Sequence, residues 1–177
     1  MKNKAFFAAV TAIVLGMTMS ACSLRQERPV LGPNDSVVSD DGETLVISTK
    51  EVAQNPVFTP EWNNTINVWK VSQETLKYYK YGGTVYVSGQ LKVTAGVNNL
   101  AYDKVVGIRY TLDNWKTYKD YNGYWISHDG YGNTDNFEVL SESTIKPGTL
   151  VKYAIYFKAN GKTYWNNNYG ANFSAQF

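Results

Sequence analysis

The dipeptide Asn160-Gly161, set between two aromatic-rich runs, constrains this chain more than any other feature. Both residues tolerate a positive φ, so the pair is the preferred centre of a two-residue type I′ hairpin. A loop that short fixes the register: 159 opposes 162, 157 opposes 164, and 156 opposes 165. Side chains alternate across a strand. Val151, Tyr153, Ile155, Phe157 and Tyr164 therefore share one face, and Lys152, Ala154, Tyr156, Lys158, Trp165 and Asn167 share the other. The first face is apolar and is expected to line a core. The second carries two lysines and is expected to meet water, with Trp165 and Tyr156 side by side outside. An exposed Trp beside a Tyr is uncommon in a soluble monomer that binds nothing.

From residue 64 onward, short runs rich in Val, Ile, Tyr and Thr alternate with Gly, Asn and Asp clusters. They predict strands over 65–71, 84–94, 104–112, 121–127, 136–140, 150–159, 162–166 and 172–177, the pattern of an all-β antiparallel sandwich. Gln73–Tyr79 is read as a single turn of helix. Residues 22–62 read instead as a spacer, because Pro29, Gly32-Pro33, Asp40-Asp41-Gly42, Pro56 and Pro60 work against a packed core. Their one strand-like run, Thr44-Leu-Val-Ile-Ser-Thr49, has a second reading as a strand paired onto the domain edge. The folded domain is placed at 63–177. Trp62 and Trp69 are read as anchors covering the edge of its core.

The amino terminus reads as an address. Lys2 and Lys4 precede an uncharged stretch from Ala5 to Met19, too short for a spanning helix but suited to a signal peptide. It ends in Met19-Ser20-Ala21-Cys22, which resembles a bacterial lipoprotein signal over residues 1–21. The resemblance implies a diacylglycerol thioether on Cys22 and a membrane partner reached through lipid. Ser23, rather than Asp, points to an outer-membrane destination in a Gram-negative envelope. Removing the first 21 residues takes away two lysines and no acid, and leaves 15 basic and 15 acidic groups. A neutral chain is a poor electrostatic partner for nucleic acid. The single Cys excludes a disulfide framework and a cysteine-cluster zinc site, and the single His excludes His-pair metal sites. No metal and no cofactor are expected.

Five ordered segments carry a resemblance to a known family. They are Asn99-Leu-Ala-Tyr-Asp-Lys104 leading into Val105–Thr111, then Asp113-Asn-Trp-Lys-Thr117, Thr134-Asp135-Asn136-Phe137, Tyr153-Ala-Ile-Tyr-Phe157, and KTYWNNNYGANF at 162–173. Together they resemble family 21 carbohydrate-binding modules, the starch- and glycogen-binding domain. The resemblance implies an immunoglobulin-like β-sandwich of about eight strands, and α-1,4-glucan binding without catalysis. It implies a main site at Trp115, Trp165, Asn167 and Asn168. Ala154 stands where fungal members carry a site Tyr, and Tyr156 is expected to substitute for that platform. A second site is implied at Tyr102 and Lys104, with Trp125 or Tyr124 on the strand after the Asp-Asn-Trp motif. Asn166 replaces the family's usual Asp, and Phe173 the Tyr that closes the motif.

The residue types suit such a ligand. An indole or phenol stacks on the apolar C–H face of glucose with little loss of conformational freedom, and Asn amides both donate to and accept from the hydroxyls on the rim. Two other functions compete: an adaptor recruiting a partner protein, and an unrecognised glycoside hydrolase using carboxylates such as Asp129 and Asp135. The run Asp129–Asp135 faintly resembles a calcium loop, but it lacks the bidentate Glu and reads as a solvated turn.

Overall fold

The computed structural model describes residues 28–53, 66–81, 83, 85–129 and 133–177. Eleven strands occur among them: β1 (Asp35–Asp40), β2 (Thr44–Val52), β3 (Val68–Lys80), β4 (Val85–Asn98), β5 (Lys104–Thr111), β6 (Lys119–Asn122), β7 (Tyr124–His128), β8 (Thr134–Leu140), β9 (Leu150–Ala159), β10 (Lys162–Asn166) and β11 (Phe173–Gln176). One antiparallel sheet has the order β1-β2-β3-β4-β8-β7 and the other β10-β9-β5-β6, with β11 following β10 along the same edge of β9. The all-β sandwich expectation holds, with more strands than the eight foreseen.

The hairpin at the centre of the sequence argument forms in the expected register. Lys162 pairs with Ala159, Tyr164 with Phe157 and Trp165 with Tyr156. Asn160 and Gly161 have φ of 50° and 72°, the left-handed pair that a type I′ turn requires. Val151, Tyr153, Ile155 and Phe157 are fully buried, and Tyr164 packs against the same cluster. Leu91, Val93, Ala95 and Val97 of β4 face them from the other sheet. Alternate residues of two facing strands thus supply most of the core.

Two expectations are corrected. Gln73–Tyr79 belongs to β3 and is not helical. Its backbone is paired to β2 on one side and β4 on the other, and that double ladder overrides weak local preference. Gln73 is buried, where it accepts from Tyr153 Oη at 2.7 Å and donates to Glu51 Oε2 and the Ser174 carbonyl at 2.8 and 3.0 Å. It joins the two sheets at a place where an unsatisfied amide would cost about 1–3 kcal/mol.

The second correction concerns the spacer. Residues 35–52 are a hairpin added to the edge of the larger sheet, the second reading given above for 44–49. β2 pairs with β3 along its whole length, from Thr44 opposite Lys80 to Val52 opposite Ser72. Leu45 and Ile47 are each only 3 % exposed. Pro33 and Gly42 serve turns here: Asp41 Oδ1 accepts from the amides of Glu43 and Thr44, and Gly42 has φ 86°. Residues 1–27 and 54–65, with Cys22 and Trp62, lie outside the described residues.

One glycine decides how the sheets connect. β6 pairs with β5 in one sheet and β7 with β8 in the other, and Gly123 is the pivot between them. A Cβ at Gly123 would stand 2.6 Å from the Glu138 carbonyl oxygen. Only a bare backbone passes there.

If the β1–β2 hairpin is part of the folded unit, Leu45→Ala lowers its stability by about 2–4 kcal/mol in urea unfolding. A leash in this region would leave the unfolding curve unchanged.

Candidate functional site

The outward face of the smaller sheet is organised around Gly107. Strand register aligns Trp165, Tyr156, Gly107 and Asn122 in one row across β10, β9, β5 and β6. With no side chain at 107, the Tyr156 phenol lies down across the strand. A Cβ there would be 2.4 Å from Tyr156 Oη and 2.5 Å from Cζ. The phenol reaches Asn122 Oδ1 at 2.5 Å and donates its proton to it. Burial raises the Tyr156 pKa, so the donor form persists at neutral pH.

Tyr156 was expected to stand exposed beside Trp165, and it does not. It is only 2 % exposed, because alternation decides which side of a sheet a residue takes, not whether that side is covered. Its ring instead supports Trp165 edge-on, with centroids 5.5 Å apart and planes at 60°. Trp165 itself is 48 % exposed.

The next row holds Ala154, Arg109 and Asp120. Arg109 donates two hydrogen bonds to Asp120, at 2.7 and 2.8 Å, and these hold the Asp120 carboxyl below its usual pKa. The guanidinium carbon lies 4.1 Å from the Tyr118 ring centre and 5.3 Å from that of Trp165. Beyond it Thr111 pairs with Lys152, and the chain turns through Asp113–Thr117. Lys152 Nζ donates to Asn114 Oδ1 at 2.7 Å, which ties this turn to the outward face of β9.

Asn114 and Trp115 have φ of 59° and 71°. Asn tolerates the left-handed region, but a bulky Trp rarely enters it, and such strain persists only when the surroundings impose it. Here they do. Trp115 N donates to Thr111 Oγ1 at 2.9 Å, and Asp113 accepts from Thr111 Oγ1 and from the amide and hydroxyl of Thr117 at 2.7–2.9 Å. The Thr117 amide, then its hydroxyl and that of Thr111, pull the Asp113 carboxyl down to about 2. Trp115 is half-buried, and its Nε1 is enclosed by protein. Its turn is joined to β9 through the bond between Lys152 and Asn114, while Trp165 stands opposite Tyr156 on the same strand; the Lys152 and Tyr156 rows are four residues apart along β9, roughly 13 Å at the usual strand rise.

Between those rows lies the turn from β10 to β11. Asn168, Tyr169, Gly170 and Asn172 all have positive φ. Asn167 holds the turn by accepting from Gly170 N through Oδ1 and from Asn172 N through its carbonyl. Asn166 is structural, donating to the Val68 carbonyl and accepting from Asn168 N, both at 3.0 Å. Asn167 and Asn168 are exposed. Trp165, Asn167 and Asn168 are thus exposed close together in sequence at the edge of β9, and Trp115 sits in a turn held to the same strand through Lys152.

The second predicted cluster is altered. Tyr102 is 98 % exposed and Trp125 is 53 % exposed. Lys104, however, is buried: its ammonium is ion-paired with Asp135 and donates to Asn99 Oδ1 at 2.5 Å. Lys104 was expected at a ligand surface, but a buried charge needs its partner, and the partner is internal. Asp135 also accepts from Trp125 Nε1 at 3.2 Å. A chain of contacts therefore joins Trp125 to the loop carrying Tyr102. Tyr124 points its hydroxyl at Glu138, which raises its pKa. Asp129 Oδ1 accepts from Asn133 N at 2.8 Å, as in an ordinary turn, and no cluster of three metal-ligating side chains occurs among the described residues.

Two aromatics escaped the sequence reading. Tyr118 is 57 % and Tyr169 97 % exposed. Tyr169 was detectable, since an aromatic inside an Asn/Gly turn has no route to a core. Tyr118 was not, because only its contact with Arg109 shows which way it faces.

The sequence profile of the carbohydrate/starch-binding module (family 21) matches residues 66–176, most of the chain. The chain belongs to this family. It is 36 % identical over 84 residues to human protein phosphatase 1 regulatory subunit 3B, covering 45 % of this chain and 29 % of that protein. It is 30 % identical over 124 residues to glycogen-binding subunit 76A of Drosophila melanogaster, covering 70 % of this chain and 18 % of that one. The chain thus spans less than a third of these relatives. The carbohydrate-binding module of the muscle glycogen-targeting subunit of protein phosphatase 1, a solved structure, aligns with a TM-score of 0.45 at 24 % identity over 62 % of this chain and 74 % of that one. The β1–β2 hairpin lies outside the matched family segment.

Because the folded-state pKa of Asp113 is depressed, its contribution to stability is complete above the ordinary value of 3.8 and is lost as pH falls through about 2. The stability gap between the wild type and Asp113→Asn is expected to be constant above that ordinary value and to close toward pH 2. Denaturant unfolding across the acid range checks this. A gap that closes near neutral pH contradicts it.

Proposed function

We propose that this family 21 module is a non-catalytic binder of α-1,4-linked glucan (starch, glycogen or maltooligosaccharide) held at a bacterial cell envelope by lipid on Cys22. The observation carrying the binding half is Trp165, half exposed and braced from below by Tyr156, next to the exposed amides of Asn167 and Asn168. A glucose ring stacks its C–H face on that indole, and the amides meet its hydroxyls. Trp115, fixed in its strained turn, takes another ring of the same chain. Tyr102 and Trp125 form a smaller second site without help from Lys104. The name of the Drosophila relative, a glycogen-binding subunit, supports this ligand class. Each exposed platform contributes about 1–3 kcal/mol, by analogy with stacking on nucleic-acid bases.

Electrophoresis of the full chain through a gel containing amylopectin tests the binding. The wild type is retarded relative to a gel without polysaccharide, and a Trp115→Ala/Trp165→Ala double variant is not. Equal mobility of the two proteins contradicts the assignment.

The anchoring half rests on the lone Cys22 after Met19-Ser20-Ala21. Globomycin treatment of expressing cells should leave the unprocessed precursor. Unchanged processing removes the lipid anchor and leaves the glucan site standing.

A further inference from the structure

We infer that Tyr118 is an additional glucan-contacting residue, set in place by Arg109 so that it and Trp165 act as two neighbouring platforms for one sugar chain. This rests on the glucan reading of the Trp165 surface. Tyr118 is 57 % exposed, and its ring faces the Arg109 guanidinium at 4.1 Å. Trp165, 48 % exposed, faces the same group at 5.3 Å. The two ring centres are therefore no further apart than roughly the sum of those distances, close enough for nearby glucose units of one chain. Arg109 cannot rotate freely, since both arms of its fork are held by Asp120 at 2.7 and 2.8 Å. Asp120 is placed by β6, whose register opposes it to Arg109 directly. Tyr118 immediately precedes β6, so the strand that holds the carboxylate also holds the ring.

A ring recruited only to cover the guanidinium would gain from burial, yet more than half of Tyr118 remains open. An open phenol and an open indole, both within contact of one planar cation, offer two apolar faces near one another on a surface otherwise rich in amides and charge. Stacked sugars need such faces, and the aromatic rings offer them with little conformational freedom left to lose. Arg109 is a positioning residue in this account. It contacts both rings.

The test is a titration of the full chain with maltoheptaose, followed by tryptophan fluorescence, with urea unfolding of each variant measured alongside. Tyr118→Leu keeps apolar bulk over Arg109 but loses the flat face. It should weaken binding by about tenfold while leaving the unfolding midpoint unchanged. Tyr118→Phe and Tyr118→Trp should bind like the wild type, because the ring and not the hydroxyl is used. Arg109→Lys keeps the charge but not the planar fork, and should weaken maltoheptaose binding with little change in the midpoint. Trp165→Ala separates the two claims. If it loses affinity while Tyr118→Leu does not, this inference is wrong and the glucan site stands. If neither variant changes affinity, the glucan reading of this surface falls as well.

Discussion

The contact on which the proposed binding surface depends is the phenol of Tyr156 lying across Gly107. Without a Cβ at 107 the ring folds down, reaches Asn122, and becomes the floor under Trp165. A Cβ at 107 would collide with the phenol, 2.4 Å from its oxygen, and displace it from that position. A large aromatic is then kept half exposed without being loose, because its lower edge is packed while its upper side stays open. Stacking against a sugar gains most when the platform has already lost its own freedom. Arg109 adds a lateral brace worth about 0.5–2 kcal/mol per ring contact in the usual range for such pairs.

The strained turn at Trp115 complements that floor. Two consecutive left-handed residues are costly, and Thr111 with Asp113 supplies the hydrogen bonds that hold them. Lys152 and Asn114 then join the turn to the strand that also carries Tyr156. Both tryptophans are thus referred to β9, the central strand of the smaller sheet, whose inward side chains are fully buried. The surface inherits its rigidity from the core.

Much of this was legible in the residues. A two-residue Asn-Gly turn leaves no choice of register, so the core face of β9 and the pairing of Trp165 with Tyr156 followed at once. The exposure of Trp165 followed as well. What failed is what local pattern cannot encode. The burial of Tyr156 depends on Gly107, almost fifty positions away. Lys104 was assigned to a ligand surface by resemblance alone, and its partner, Asp135, lies on a strand of the other sheet where no local pattern announces it. Residues 73–79 read as helix because nothing local announces that two strands will flank them. The β1–β2 hairpin looked like a leash because Pro33 before it and Gly42 within it, taken alone, mean turns, and turns do not say what their flanking strands will find to pair with.

The most direct test of the central claim watches the indoles themselves. In a maltoheptaose titration followed by NMR, the indole N–H resonances of Trp165 and Trp115 are predicted to shift together along one saturation curve. That of Trp69, whose ring lies over Gly96 on the other sheet, should stay fixed. Shifts confined to Trp69, or saturation that leaves Trp165 and Trp115 unmoved, would show that the sugar sits elsewhere and that the braced indole is not its platform.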